Sequence, residues 1–135
     1  MRQATNPLIY VVDDDPYHLE LVNYIFRRYH AHCKLRCFND GTDMLFHLTH
    51  QLDRQLPNLI LLDWNMPVMA GNHVLELLRM DSQWQSIPVV VLSNSEVDKD
   101  RARSYHLGGR AFIAKAETLQ ELIDTIALIL ELWLA

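Results

Sequence analysis

Leu59-Ile60-Leu61-Leu62-Asp63-Trp64-Asn65-Met66-Pro67 carries the strongest fold signal in the chain. Four consecutive large apolar residues, preceded by Pro57-Asn58, predict a short strand covered on both faces, as in the centre of a parallel sheet. The run ends in a carboxylate. An aspartate there leaves the apolar sheet for the crevice beyond the carboxyl ends of the strands, where open α/β sheets place their chemistry. Asp63 is therefore the first candidate for a reactive residue. This stretch alone also allows a simpler role, in which Asp63 only caps the turn that follows.

Working outward, Leu8 to Val12 is a second run of the same kind, and it ends in Asp13, Asp14 and Asp15. Asp15 as N-cap with Pro16 at the first helical position predicts a helix whose inner face carries Leu19, Val22, Phe26 and Tyr29. A nucleotide fold would have glycines in this turn. Three acids repel an anion unless a cation stands between. His32 to Phe38 alternates as a strand with Cys33, Leu35 and Cys37 on one face, then turns at Asn39-Asp40-Gly41 into a helix capped by Thr42 and carrying Met44, Leu45 and Leu48. After Gly71 a helix is expected to turn Val74, Leu77 and Leu78 inward. Val89 to Leu92 is a buried strand that ends at Ser93-Asn94-Ser95. Ser95 and Asp98 resemble a capping box for a fourth helix, closed by Gly108-Gly109. Ala111 to Ala114 is a fifth strand ending at Lys115, and Thr118 with Glu121 opens a last helix running to Trp133. Strand and helix alternate throughout, which predicts an α/β fold: a doubly wound, five-stranded parallel sheet with five helices.

The 135 residues fit one domain, 1–135, and half of them are apolar. With a net charge of -5 and only 12 scattered Lys and Arg, no basic stripe exists for a nucleic-acid backbone. No apolar run reaches the length of a membrane span or signal-peptide core, so no membrane partner and a cytoplasmic location are expected. Cys33 and Cys37, four apart on one strand, are too far separated for a disulfide and read as reduced core thiols. The seven histidines form no metal-binding spacing and receive no role.

In a parallel sheet the residues just past the strand ends converge on one edge. Here they are Asp13, Asp14, Asp63, Ser93 and Lys115: three carboxylates, a hydroxyl and an ammonium. Clustered carboxylates are tolerable near neutral pH only when a hard cation or the lysine compensates, and Mg2+ matches an all-oxygen donor set. A phosphoryl group delivered here would meet Asp63 as nucleophile, with Ser93 and Lys115 on its oxygens. Each residue alone has an innocent reading as a solvated turn, a cap or a surface charge. The combination at the strand ends favours phosphoryl transfer.

The set Val-Val-Asp13-Asp14-Asp15-Pro, Leu-Leu-Asp63-Trp-Asn-Met-Pro, Val-Leu-Ser93-Asn and Phe112-Ile-Ala-Lys115 resembles the receiver domain of two-component response regulators, of the single-domain, chemotaxis-regulator-like kind. The likeness runs over essentially the whole chain. It implies a flavodoxin-like, receiver-type fold, with Asp63 as phosphoacceptor. Asp14 and Asp63 would ligate Mg2+ with the backbone carbonyl of Asn65, and Asp13 would orient metal-bound water. Ser93 would be the switch hydroxyl, Lys115 the phosphate-binding lysine and Phe112 the aromatic that changes rotamer. Three positions depart from the family pattern. Ala70 replaces an acid before Gly71 and forgoes a cap hydrogen bond. Asn94 follows Ser93 where a small residue is usual, narrowing access to Asp63. Ala116 replaces a proline after Lys115, and since a cis bond before alanine costs about 2.5 to 4 kcal/mol, a trans bond is expected.

The expected function is a phosphorylatable signalling switch, fed by a sensor histidine kinase or histidine phosphotransfer protein, with no output domain. It is not an enzyme beyond catalysing its own phosphorylation and dephosphorylation. One alternative is a receiver-like interaction module that no longer cycles phosphate. A small aspartyl-phosphate phosphatase is another, weakened by Asn65 where such enzymes place a second aspartate. On the last helix, a core stripe through Leu119, Ile123, Ile126, Leu130 and Trp133 leaves Leu122, Leu128, Ile129 and Leu132 without a place. Such a surplus marks an interface. The expectation is a homodimer or a docked partner on the face of helix four, strand five and helix five, where Lys99, Arg101 and Arg103 pair with Asp124 and Glu131.

Overall fold

The apolar runs Leu8–Val12, Leu59–Asp63 and Val89–Ser93 become interior strands with neighbours on both sides, and each amphipathic segment between strands becomes a helix lying on the sheet. The computed structural model describes residues 6–66, 70–94 and 98–134. In chain order the elements are β1 (Leu8–Val12), α1 (Pro16–Tyr29), β2 (Lys34–Phe38), α2 (Gly41–Thr49), β3 (Leu59–Asp63), α3 (Gly71–Met80), β4 (Val89–Ser93), α4 (Asp98–His106), β5 (Ala111–Ala114) and α5 (Leu119–Leu134). The five strands form one parallel sheet in the order β2-β1-β3-β4-β5. The order reverses between β1 and β3, so the connections leaving those two strands diverge and open a crevice at their carboxyl ends.

Alternation along the strands divides the core into two layers. Leu8, Tyr10, Val12, Ile60, Leu62, Val89 and Val91 pack with α2 and α3 on one face. Ile9, Val11, Leu59, Leu61, Val90 and Leu92 pack with α1 and α5 on the other. The loop from α2 to β3 is tied to the sheet by Asp53, which accepts from the Tyr10 hydroxyl at 2.6 Å and from Arg36 Nε at 2.9 Å and lies 3.4 Å from His47 Nε2. Among the described residues no helix is long and apolar enough to cross a membrane.

Several local expectations need correction. The N-cap of α2 is Asp40, which accepts from the Asp43 amide at 2.8 Å; Thr42 lies inside the helix. Ile25 on α1 and Leu75 on α3 are core residues, whereas Tyr29 and Leu77 are exposed. Cys33 and Leu35 are half-buried and Cys37 is exposed, because β2 is an edge strand with a neighbour on one side only. The cap assigned to Ser95 lies outside the described residues. Ala70 precedes α3 with no side-chain cap hydrogen bond, and the Lys115–Ala116 bond is trans.

The largest correction concerns α5. Leu122 and Ile129 are 4% and 1% exposed and belong to the core with Ile126 and Leu130, while Leu119 is exposed. The inward stripe is thus rotated by part of a turn, since a helix this apolar supports two overlapping stripes that share Ile126 and Leu130. Leu122 and Ile129 are therefore unavailable to a partner. Leu128 and Leu132, at 53% and 66% exposed, remain on the surface.

Candidate functional site: an acid cluster at the strand ends

Asp13 follows β1 and Asp63 closes β3, so both carboxylates sit at the mouth of the crevice, each 2% exposed. Asp14, one residue further out, is exposed. One oxygen from each of these three acids lies within 4.8 Å of the others, a spacing that can hold a metal ion. Two short turns fix the geometry. Asp13 Oδ1 accepts from the Asp15 amide at 2.9 Å, and Asp63 Oδ1 accepts from the Asn65 amide at 3.1 Å. Asp63 therefore caps the turn after β3 with Oδ1 and presents Oδ2 to the crevice, where Lys115 meets it.

Lys115 extends from the end of β5 across Ser93, its amide donating to the Ser93 carbonyl at 2.9 Å. Its Nζ reaches Asp63 Oδ2 at 3.3 Å and Asp13 Oδ2 at 3.4 Å. Ser93 is fully buried, and its hydroxyl donates to Asn65 Oδ1 at 3.1 Å. All five side chains expected at the strand ends are thus brought to one edge.

Burial and then the neighbouring Asp13 charge push Asp63 up to about 7, against the opposing pull of Lys115. Asp13 moves the other way. Burial would raise it, but His18, the Asp15 amide and Lys115 together outweigh that and hold it below the ordinary carboxylate range. Two close carboxylates divide their shifts in this manner because the first to ionise penalises the second. Burial lowers Lys115, but Asp13 and Asp63 more than compensate and raise it. An all-oxygen cluster with surplus negative charge suits a hard divalent cation.

Behind the cluster, Gly71 is a packing requirement. A Cβ there would fall 2.9 Å from the Trp64 Cα and 3.0 Å from the Asp63 carbonyl, so only glycine lets α3 begin against the peptide that carries Asp63. Trp64 meets Phe112 edge-on with ring centroids 5.9 Å apart. Arg101 on α4 lies over the Phe112 ring, 5.3 Å from its centroid, and donates to the Phe112 carbonyl at 3.1 Å. Arg101 is thereby engaged within the chain. Arg103 makes only an exposed contact with Glu76 at 3.4 Å, and Lys99, Asp124 and Glu131 are exposed. Asn94 is exposed beside the site.

Sequence reasoning missed His18, whose Nδ1 lies 2.6 Å from Asp13 Oδ2. The available signal was its place three residues after the N-cap Asp15, where a side chain reaches back over the turn before the helix.

Residues 9–127 match the family model of the response regulator receiver domain. The chain is a response regulator receiver domain. It is 31% identical over 135 residues to the probable methanogenesis regulatory protein FilR2 of Methanothrix harundinacea, covering 98% of this chain and 87% of that protein. To the response regulator Rcp1 of Synechocystis it is 30% identical over 139 residues, 99% of this chain and 95% of the relative. Among solved structures, the phosphorylated cyanobacterial phytochrome response regulator RcpA superposes with a TM-score of 0.89 at 29% identity, covering 97% of this chain and 96% of that one. The manganese-bound form of Rcp1 gives a TM-score of 0.82 at 28% identity over 94% of each chain. Receiver domains are signalling domains phosphorylated by histidine kinases, and this one has the flavodoxin-like fold of the family with an acidic site able to take a divalent metal.

Proposed function

We propose that this receiver domain is a phosphorylatable switch of a cytoplasmic two-component system, which accepts a phosphoryl group on Asp63 from a histidine kinase or a histidine phosphotransfer protein. The observation that carries this reading is the meeting of Asp13, Asp14 and Asp63 within 4.8 Å, with Lys115 Nζ 3.3 Å from Asp63. Asp14, Asp63 and the Asn65 carbonyl would hold Mg2+, with Asp13 on metal-bound water; the donor set is all oxygen and fits this cation. When bound, Mg2+ supplies positive charge against the carboxylates and the transferring phosphoryl oxygens.

An Asp63 oxygen attacks phosphorus as the N–P bond of the donor phosphohistidine breaks. The electron pair of that bond stays on the imidazole nitrogen, which takes a proton from solvent, and Asp63 becomes an acyl phosphate. Lys115 leaves Asp13 and Asp63 for the new phosphoryl oxygens. Ser93 gives up Asn65 to donate to another of them, and Phe112, behind the site, responds as the switch aromatic. Hydrolysis by water restores the carboxylate and releases inorganic phosphate.

The test is intact mass after incubation with Mg2+ and acetyl phosphate. Wild type is expected to gain one phosphoryl group and Asp63→Asn none. An adduct that survives Asp63→Asn removes the assignment.

We further propose a homodimer across α4, β5 and α5. Leu128 and Leu132 supply its apolar centre, and Lys99 and Arg103 of one copy face Asp124 and Glu131 of the other, as the self-complementary surface of a twofold dimer requires.

A further inference from the structure

We propose that His18 is a positioning residue of the acid cluster, holding the Asp13 carboxylate in the orientation that divalent cation binding needs. This rests on reading the cluster as a cation site. The placement follows from the start of α1. Asp15 caps the helix by accepting from the Tyr17 amide at 3.0 Å, Pro16 sets the first turn, and the next inward position directs His18 back over Asp13. The imidazole side chain is 13% exposed, and its Nδ1 stands 2.6 Å from Asp13 Oδ2. An ionised carboxylate only accepts, so a hydrogen bond across this contact requires the proton on Nδ1.

Asp13 is thereby held at both oxygens, Oδ1 by the Asp15 amide and Oδ2 by His18. The remaining partner of Oδ2, Lys115, is shared with Asp63. Without His18 the lysine alone would hold Oδ2, and its charge would be drawn toward the place a cation must occupy. Both ring nitrogens of His18 are buried without a hydrogen bond of good geometry among the described residues, so the 2.6 Å approach of Nδ1 to Asp13 is a close polar contact and Nε2 faces no partner at all. A ring buried at that cost takes its position from the Nδ1 contact. Groups that orient metal ligands or metal-bound water from behind commonly change affinity by about 10- to 100-fold when removed.

The experiment is isothermal titration of Mg2+ into wild type, His18→Phe, His18→Asn, Asp13→Asn and the His18→Phe/Asp13→Asn double variant. Phenylalanine keeps the ring and its volume but carries no donor; the asparagine Nδ2 takes the place of Nδ1. His18→Phe is expected to weaken Mg2+ at least about tenfold. His18→Asn should stay within about threefold of wild type. In the Asp13→Asn background His18→Phe should cost nothing further, which a merely structural role would not produce. Should His18→Phe fail to fold by circular dichroism, His18→Leu replaces it in the same cycle. Wild-type affinity or tighter binding in His18→Phe, failure of asparagine to rescue, or full additivity with Asp13→Asn overturns the proposal. If wild type binds no Mg2+, the reading of the cluster as a cation site falls, and the role of His18 with it.

Discussion

Asp63 illustrates how a single carboxylate sets the pH response of the domain. Its raised value, about 7 against an ordinary 3.8, means the folded state favours the protonated form. The contribution to stability is therefore complete below the unfolded value and is lost as pH rises through the folded one. Asp13, lowered, gives up its contribution only below about pH 4, and the raised Lys115 acts above the window. Burial lowers His30, which acts with the opposite sign in this window. The test is therefore a difference: between pH 5 and 8 the metal-free protein should lose stability in urea unfolding relative to Asp63→Asn, and equal slopes would contradict the raised value. Gly71 gives a second test. Gly71→Ala forces a methyl into the Trp64 and Asp63 backbone and should cost about 1–3 kcal/mol, read from the urea midpoint. At this scale Asp13, Asp14, Asp63, Ser93 and Lys115 were legible because each ends a strand, and parallel strands deliver their ends to one edge. His18 was not, since its partner is defined by the turn before the helix and not by any spacing between histidines.

Helices and strands were legible where one face is apolar and the caps are distinctive. Asp15-Pro16 and Thr118 with Glu121 open α1 and α5 as expected, the latter with the Thr118 hydroxyl accepting from the Glu121 amide at 3.1 Å. The phase of α5 was not legible, because apolar residues surround most of the helix and only the tertiary packing chooses between stripes. That correction changes the dimer test. Leu122→Glu buries a charge against the sheet and should unfold the domain. Leu128→Glu with Leu132→Glu should leave the domain folded by circular dichroism and turn a dimer into a monomer in sedimentation equilibrium. A wild type that is monomeric with and without beryllofluoride excludes self-association. The loop before β3 makes a further case. Asp53→Ala strips the buried Tyr10 hydroxyl of its acceptor and should destabilise by about 1–3 kcal/mol without altering Mg2+ binding at the far end of the strands.

For the whole molecule, ligand binding and folding are linked. A cation that binds only the native acid cluster stabilises it by about 2.7 kcal/mol at one hundred times its dissociation constant. Mg2+ should accordingly raise the melting temperature of wild type and leave Asp14→Ala with Asp63→Asn unmoved, as followed by scanning calorimetry. The edge contact between Trp64 and Phe112 has a further use in the same experiments. Indole emission is sensitive to nearby charge, and Trp64 is bonded to Asp63, while Trp84, in the connection from α3 to β4, and Trp133, on α5, lie half-buried elsewhere. With those two replaced by phenylalanine, the domain becomes its own optical gauge: light from one fluorophore reports on Asp63 through the chain and on the Phe112 ring through space.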